Sequence, residues 1–150
     1  MSNRFFAAYG VGANRTEMAK RCPTAKLLGA SVLRNHRLTF RGTHAAAVAN
    51  IEPEKVRSVP VLVWDITPAD EAALDQYEGF PHLYEKQQFR LRLDGKVVDC
   101  MAYVMRGDRP FGKPSAFYYS AVLEGYNAAG FDTEILRNAV QNASETAPDL

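Results

Sequence analysis

Thr67 to Gly79 dictates its own structure more completely than any other part of this 150-residue chain, and so constrains what lies on either side. Thr67 can accept hydrogen bonds from the free amides of a first helical turn. Pro68 gives up nothing at the first helical position, and Asp70 favours the positive end of the helix. Gly79 suits the left-handed residue that closes a helix. A helix is therefore predicted from Pro68 to Glu78. The apolar run Pro60 to Ile66 just before it reads as the clearest buried strand, and Pro81 to Tyr84 returns at once to extended chain. Glu78 is left on a junction between helix and loop, the kind of place where a rigid scaffold presents catalytic groups.

Other segments carry weaker signals. Arg4 to Tyr9 reads as an opening strand and Gly10 to Ala13 as the turn after it. Arg15 to Arg21 is a short predicted helix, with Asn14 as its cap and Pro23 as its stop. Val32 to Arg41 alternates like a strand, with polar Asn35 and His36 interrupting it. Ala45 to Ile51 is a weaker strand closed by Pro53. Tyr84 to Leu93 and Lys96 to Met105 form a hairpin around Asp94-Gly95, a pair suited to a type I′ turn. Arg106 to Pro114 is a polar loop. Ser115 caps a helix to about Asn127, Asp132 caps another to about Asn142, and the tail 144–150 is expected to fray. The sum is an α+β fold, a mixed, barrel-like β-sheet with flanking helices, in one domain over residues 1–150.

Composition narrows the function classes. A net charge of +1 gives no footprint for nucleic acid or an anionic membrane surface. No apolar run approaches the roughly 20 residues that span a bilayer, and the N-terminus lacks the apolar length of a signal peptide. Cys22 and Cys100 are too few and too far apart for a disulfide framework or a zinc site. Both read as structural thiols, and a reducing cytoplasm is the natural compartment.

Three chemical features need weighing. Gly10-Val11-Gly12 after a strand suggests a dinucleotide loop, but Arg15 stands where the third glycine belongs. Exposed amides at such a turn can instead cradle an anion or oxyanion. A turn needed for geometry alone explains the glycines equally well. His36, His44 and His82 have no ligand spacing, and no nucleophile elbow exists. Asp75 and Glu78 lie one helical turn apart on one face, a pattern more common on solvated surfaces than in catalytic dyads.

Four ordered stretches add specificity. They are Phe5-Phe6-Ala7-Ala8-Tyr9-Gly10, followed by Met18 to Pro23 and Leu28 to Ala30; Ala49 to Pro53 with Val61 to Ile66; Leu74-Asp75-Gln76-Tyr77-Glu78-Gly79 with Tyr84; and Pro114 to Tyr118. In this order they resemble the gamma-glutamylcyclotransferase-like family, which includes the AIG2-type proteins, over about residues 4–130. The resemblance implies an enzyme free of metal and cofactor that releases 5-oxoproline from a small γ-glutamyl amine or peptide. The substrate's own α-amino group attacks its γ-carbonyl, so no protein nucleophile is needed. The resemblance makes Glu78 the general acid/base. It assigns substrate binding to Tyr9, Gly10, Val11, Gly12 and Ala13, and to Tyr84 and Tyr118, whose hydroxyls contact the substrate carboxylate or orient Glu78. Partial burial against Tyr77, Phe80 and Tyr84 would raise the Glu78 pKa toward neutrality.

The chain departs from the family in that loop. Where the family reads Tyr-Gly-Ser-Asn, this sequence has Tyr9-Gly10-Val11-Gly12. A hydroxyl and an amide side chain are missing, and Asn14 is the nearest residue that could reach in. The departure keeps open a second reading, a catalytically silent relative that retains the pocket as a binding or interaction domain.

Overall fold

The computed structural model describes residues 3–146. The elements run β1 (Arg4–Ala8), a 3-10 turn (Val11–Ala13), α1 (Arg15–Arg21), β2 (Lys26–Arg41), β3 (Val48–Ile66) and α2 (Pro68–Glu78). They continue with β4 (Tyr84–Leu93), β5 (Lys96–Met105), α3 (Ala116–Ala129) and α4 (Glu134–Thr146). The cap of α2 forms as its residues demand. Thr67 Oγ1 accepts from the Asp70 amide at 3.1 Å, and Asp70 Oδ2 accepts from the Thr67 amide at 3.0 Å. Gly79 closes the helix in the left-handed region at φ 69°. Asp94 and Gly95 both take positive φ, as a type I′ hairpin turn requires.

The five strands form one mixed sheet in the order β2-β3-β1-β5-β4. Strand β1 is antiparallel to β3 and parallel to β5, with Phe6 opposite both Trp64 and Met101. The mixed sheet is as expected, but its barrel-like character is corrected: it is open, with β2 and β4 at its edges. Those edges approach without a ladder: Ser31 Oγ donates to the Arg92 carbonyl, and His36 meets the Phe89 ring edge-to-face at 5.5 Å.

Two further expectations need correction. Residues 48–51 of the expected strand 45–51 and the segment 60–66 are parts of one strand, β3, which runs through Pro53 and Pro60, while residues 45–47 lie in the turn before it. Prolines are tolerated because residues 48–61 pair with β2 alone, so a proline can sit with its nitrogen away from the ladder. Strand β2 begins at Lys26 and continues through Asn35, which takes φ 61° at a register shift opposite residues 54–57. The bulge absorbs the interruption that the polar pair suggested. Helix α4 continues to Thr146, into the segment expected to fray; residues 147–150 lie outside those described.

Alternation along the strands divides the core between the two faces of the sheet. Ala7, Val61, Val63, Cys100 and Ala102 pack with Val122, Tyr126 and Leu136 of α3 and α4. Phe6, Leu62, Trp64, Met101 and Tyr103 pack with Met18 and Leu74 of α1 and α2. Cys22 and Cys100 are free and buried, and burial pushes each thiol up to about 11. Among the described residues no helix is long and apolar enough to cross a membrane.

Candidate active site

The two packing faces meet beyond the end of β1, where the chain leaves the sheet through Tyr9 and Gly10. A narrow cleft opens there. Glu78 reaches it from α2 on one side of the sheet and Tyr118 from α3 on the other, with Tyr84 and Tyr103 from the hairpin between them. Its free space is about 30 Å³, room for one or two waters. Larger hollows elsewhere, such as one of about 560 Å³ beside Pro68, do not contain Glu78.

Glu78 is partly buried. Its carboxyl accepts no hydrogen bond and forms no ion pair among the described residues. Burial raises it from 4.5 to about 7, against an opposing pull from the Arg21 guanidinium on α1. Arg21 is held away from a direct pairing. It stacks on the Tyr77 ring, 3.6 Å from its centroid, and bonds the Glu17 carbonyl at 2.9 Å. Tyr77 is 46% exposed, so the aromatic cover over Glu78 comes from the tyrosines of the cleft, and Tyr77 supplies less of it than expected.

The tyrosine hydroxyls are committed to different degrees. Tyr9 donates to the Tyr103 carbonyl and Tyr84 to the Ala49 carbonyl, both at 2.6 Å. Tyr118 accepts from the Ala49 amide at 3.0 Å, which leaves its own proton available to the cleft. Burial holds all three well above the ordinary tyrosine range, and nearby Glu78 adds to this, so they remain neutral donors.

The glycine loop is a 3-10 turn. The amides of Ala13 and Asn14 close it on the Gly10 and Val11 carbonyls at 2.9 Å each, whereas those of Gly10, Val11 and Gly12 bond no acceptor among the described residues. Ala13, expected in the binding loop, is turned into the core instead. A Cβ on Gly125 of α3 would lie 2.7 Å from its carbonyl oxygen, a backbone contact that only glycine permits. Asn14 does not reach in. Its side chain accepts from the Glu17 amide at 3.1 Å and donates to the Ala121 carbonyl at 2.8 Å. At Gly12 a Cβ would lie 2.9 Å from that of Ala8, so this turn excludes the family's asparagine unless it shifts. The Gly12 carbonyl is pinned by Trp64 Nε1 at 3.1 Å.

Sequence reasoning missed Tyr103 and Ala49. Tyr103 stands opposite Lys86 in the β4–β5 ladder, and its ring packs edge-to-face on Phe6 at 5.7 Å. Its alternation with Met101 and Met105 was the available signal. Ala49 contributes only backbone and left none. Asp75 forms no dyad with Glu78: it accepts from Tyr103 at 2.6 Å and pairs with Lys86 at 2.9 Å.

Comparison with known proteins identifies the fold and the family. The family model "Gamma-glutamyl cyclotransferase, AIG2-like" matches residues 7–121. No curated protein matches the chain in sequence. A solved structure named gamma-glutamyl cyclotransferase superposes with a TM-score of 0.80 at 19% identity, covering 99% of this chain and 90% of that one. The uncharacterized protein loc79017 from Homo sapiens gives 0.80 at 20% identity with the same coverage. A yeast gamma-glutamyl cyclotransferase specific to glutathione gives 0.66 at 9% identity, covering 98% of both chains. At these identities the likeness to solved structures establishes the fold, and the family match establishes kinship: the chain belongs to the gamma-glutamyl cyclotransferase, AIG2-like family.

Proposed function

We propose that this protein releases 5-oxoproline from a small γ-glutamyl amine or peptide, with Glu78 as the general acid and base. One observation carries the reading: a carboxyl without a partner among the described residues, raised to about 7, lines a cleft walled by neutral tyrosines and by Gly10 to Gly12, whose amides bond no acceptor among those residues. Glu78 takes a proton from the substrate's α-ammonium. The freed amine attacks the γ-carbonyl and forms the five-membered ring. The oxyanion meets the amides of Val11 and Gly12, backbone donors that survive any change of side chain. Glu78 then returns the proton to the departing amine as the C–N bond breaks, and the ring nitrogen passes its remaining extra proton to that amine, which leaves as an ammonium. Holding the γ-glutamyl chain bent makes the attack intramolecular, a large entropic advantage. Tyr118, with a proton to give, meets the substrate carboxylate. No step calls on a metal or cofactor.

Mass spectrometry of 5-oxoproline released from γ-glutamyl dipeptides, γ-glutamyl amines and polyamine conjugates tests this proposal. Release from at least one class is expected. A second reading, a catalytically silent binding domain, draws on the narrowness of the cleft and the missing loop side chains, since a substrate enters only if the walls part. Binding of a γ-glutamyl compound without turnover across the whole panel would favour it.

A further inference from the structure

We propose that Tyr103 and Asp75 are positioning residues that hold the last turn of α2, and with it Glu78, in register with the substrate loop. The inference rests on Glu78 as the acid/base and names what keeps it in place. Because the Glu78 carboxyl has no hydrogen bond of its own among the described residues, its location is set by the backbone of the helix end. Asp75 grips that end in two ways. Its carbonyl accepts from the Phe80 amide at 2.9 Å, beyond Glu78 in the chain. Its carboxylate accepts from the Tyr103 hydroxyl through Oδ1 at 2.6 Å and from Lys86 Nζ through Oδ2 at 3.0 Å.

Tyr103 supplies the other half of the link. It is a wall of the cleft, and its carbonyl accepts the Tyr9 hydroxyl at 2.6 Å. One line of contacts therefore runs from Tyr9, beside the substrate loop, through Tyr103 to Asp75, one helical turn before Glu78. Lys86 braces it from behind, bonding Glu71 at 2.6 Å and lying 4.3 Å from the centroid of the Phe80 ring. The cross-strand pairing of Lys86 with Tyr103 directs both side chains at the same stretch of α2. Intramolecular attack depends steeply on geometry, and a displacement of about 1 Å can cost on the order of a hundredfold in rate. A helix end whose link to the substrate loop runs through the single Tyr103–Asp75 hydrogen bond is where such a displacement would begin.

Steady-state kinetics and a turnover-free measurement together test the pair. Tyr103→Phe is expected to lower kcat by between about tenfold and a hundredfold with KM within about twofold, as loss of alignment rather than of binding requires. Asp75→Asn keeps an oxygen for the Tyr103 hydroxyl and recovers most of the kcat lost in Asp75→Ala. Carbon-13 NMR titration of the Glu78 carboxyl reads its surroundings without substrate. In Tyr103→Phe the midpoint falls from about 7 toward the ordinary glutamate range as the carboxyl gains solvent. Arg21, whose charge acts on Glu78 from α1, is present in every variant. An unchanged kcat with an unchanged midpoint overturns the proposal, even if thermal stability falls. Should the wild-type protein release no 5-oxoproline, the acid/base reading fails, and the titration still decides positioning: a shifted midpoint supports it and an unshifted one refutes it.

Discussion

At Glu78 the raised proton affinity has consequences for both rate and stability. Burial raises the carboxyl from 4.5 to about 7, so the basic form accumulates only as pH passes that value. The pH profile of kcat/KM is therefore expected to rise along an acid limb with a midpoint near 7. A limb at the ordinary glutamate value would contradict the burial argument. Stability moves the opposite way. Between pH 4.5 and about 7 the folded chain holds a proton that the unfolded chain has lost, so stability falls as pH rises through this window. The shift corresponds to roughly 3 kcal/mol at full burial, and partial exposure brings it to about 2 kcal/mol. Glu78→Gln should accordingly raise Tm by about 5 °C at pH 8 and leave it unchanged at pH 4, as differential scanning calorimetry can verify. That Glu78, Tyr84 and Tyr118 belong to one site was legible from motif positions, and they line one cleft. The partners of the Tyr9, Tyr84 and Tyr118 hydroxyls were not legible, because Tyr103 and Ala49 lie far away in sequence and act through backbone atoms.

Among the elements, the 3-10 turn is set by what packs against it. Gly125 lets α3 touch the Ala13 carbonyl, and Gly12 lets the turn touch Ala8. Gly125→Ala gains about 1 kcal/mol of helix propensity, yet its methyl group meets backbone at 2.7 Å. Overpacking of about 2 kcal/mol or more outweighs the gain, so a net loss in urea unfolding is expected. An unchanged or raised midpoint would mean that α3 can move freely off the loop. Gly12→Asn, which restores the family's residue, should lower both stability and turnover, because the new Cβ has no room beside Ala8. Improved turnover would show that the turn adapts. Sequence signals identified α2 and the Asp94-Gly95 hairpin because their caps and turn residues are local. They failed along β3, whose prolines read as breaks until pairing with β2 alone made them harmless.

The whole molecule explains why one cleft gathers groups from both faces of the sheet. Parallel pairing of β1 with β5 brings Phe6 opposite Met101, and β1 ends where α2 and α3 approach from opposite sides. Local signals predict strands and a mixed sheet, but strand order emerges only when the two core clusters are filled, which is why the sheet was expected to be barrel-like and is open. The proposed mechanism, with proton transfer by Glu78 and oxyanion binding by backbone amides, predicts turnover insensitive to chelators, and a rate lost on EDTA treatment and restored by a divalent metal would refute it. The central claim meets its most direct test when wild-type and Glu78→Gln proteins are compared on the best γ-glutamyl substrate, with 5-oxoproline release and calorimetric binding measured on the same samples. The account predicts that release is lost in Glu78→Gln while affinity stays within about threefold, the pattern of a group needed for chemistry rather than binding. Full release from Glu78→Gln would contradict it.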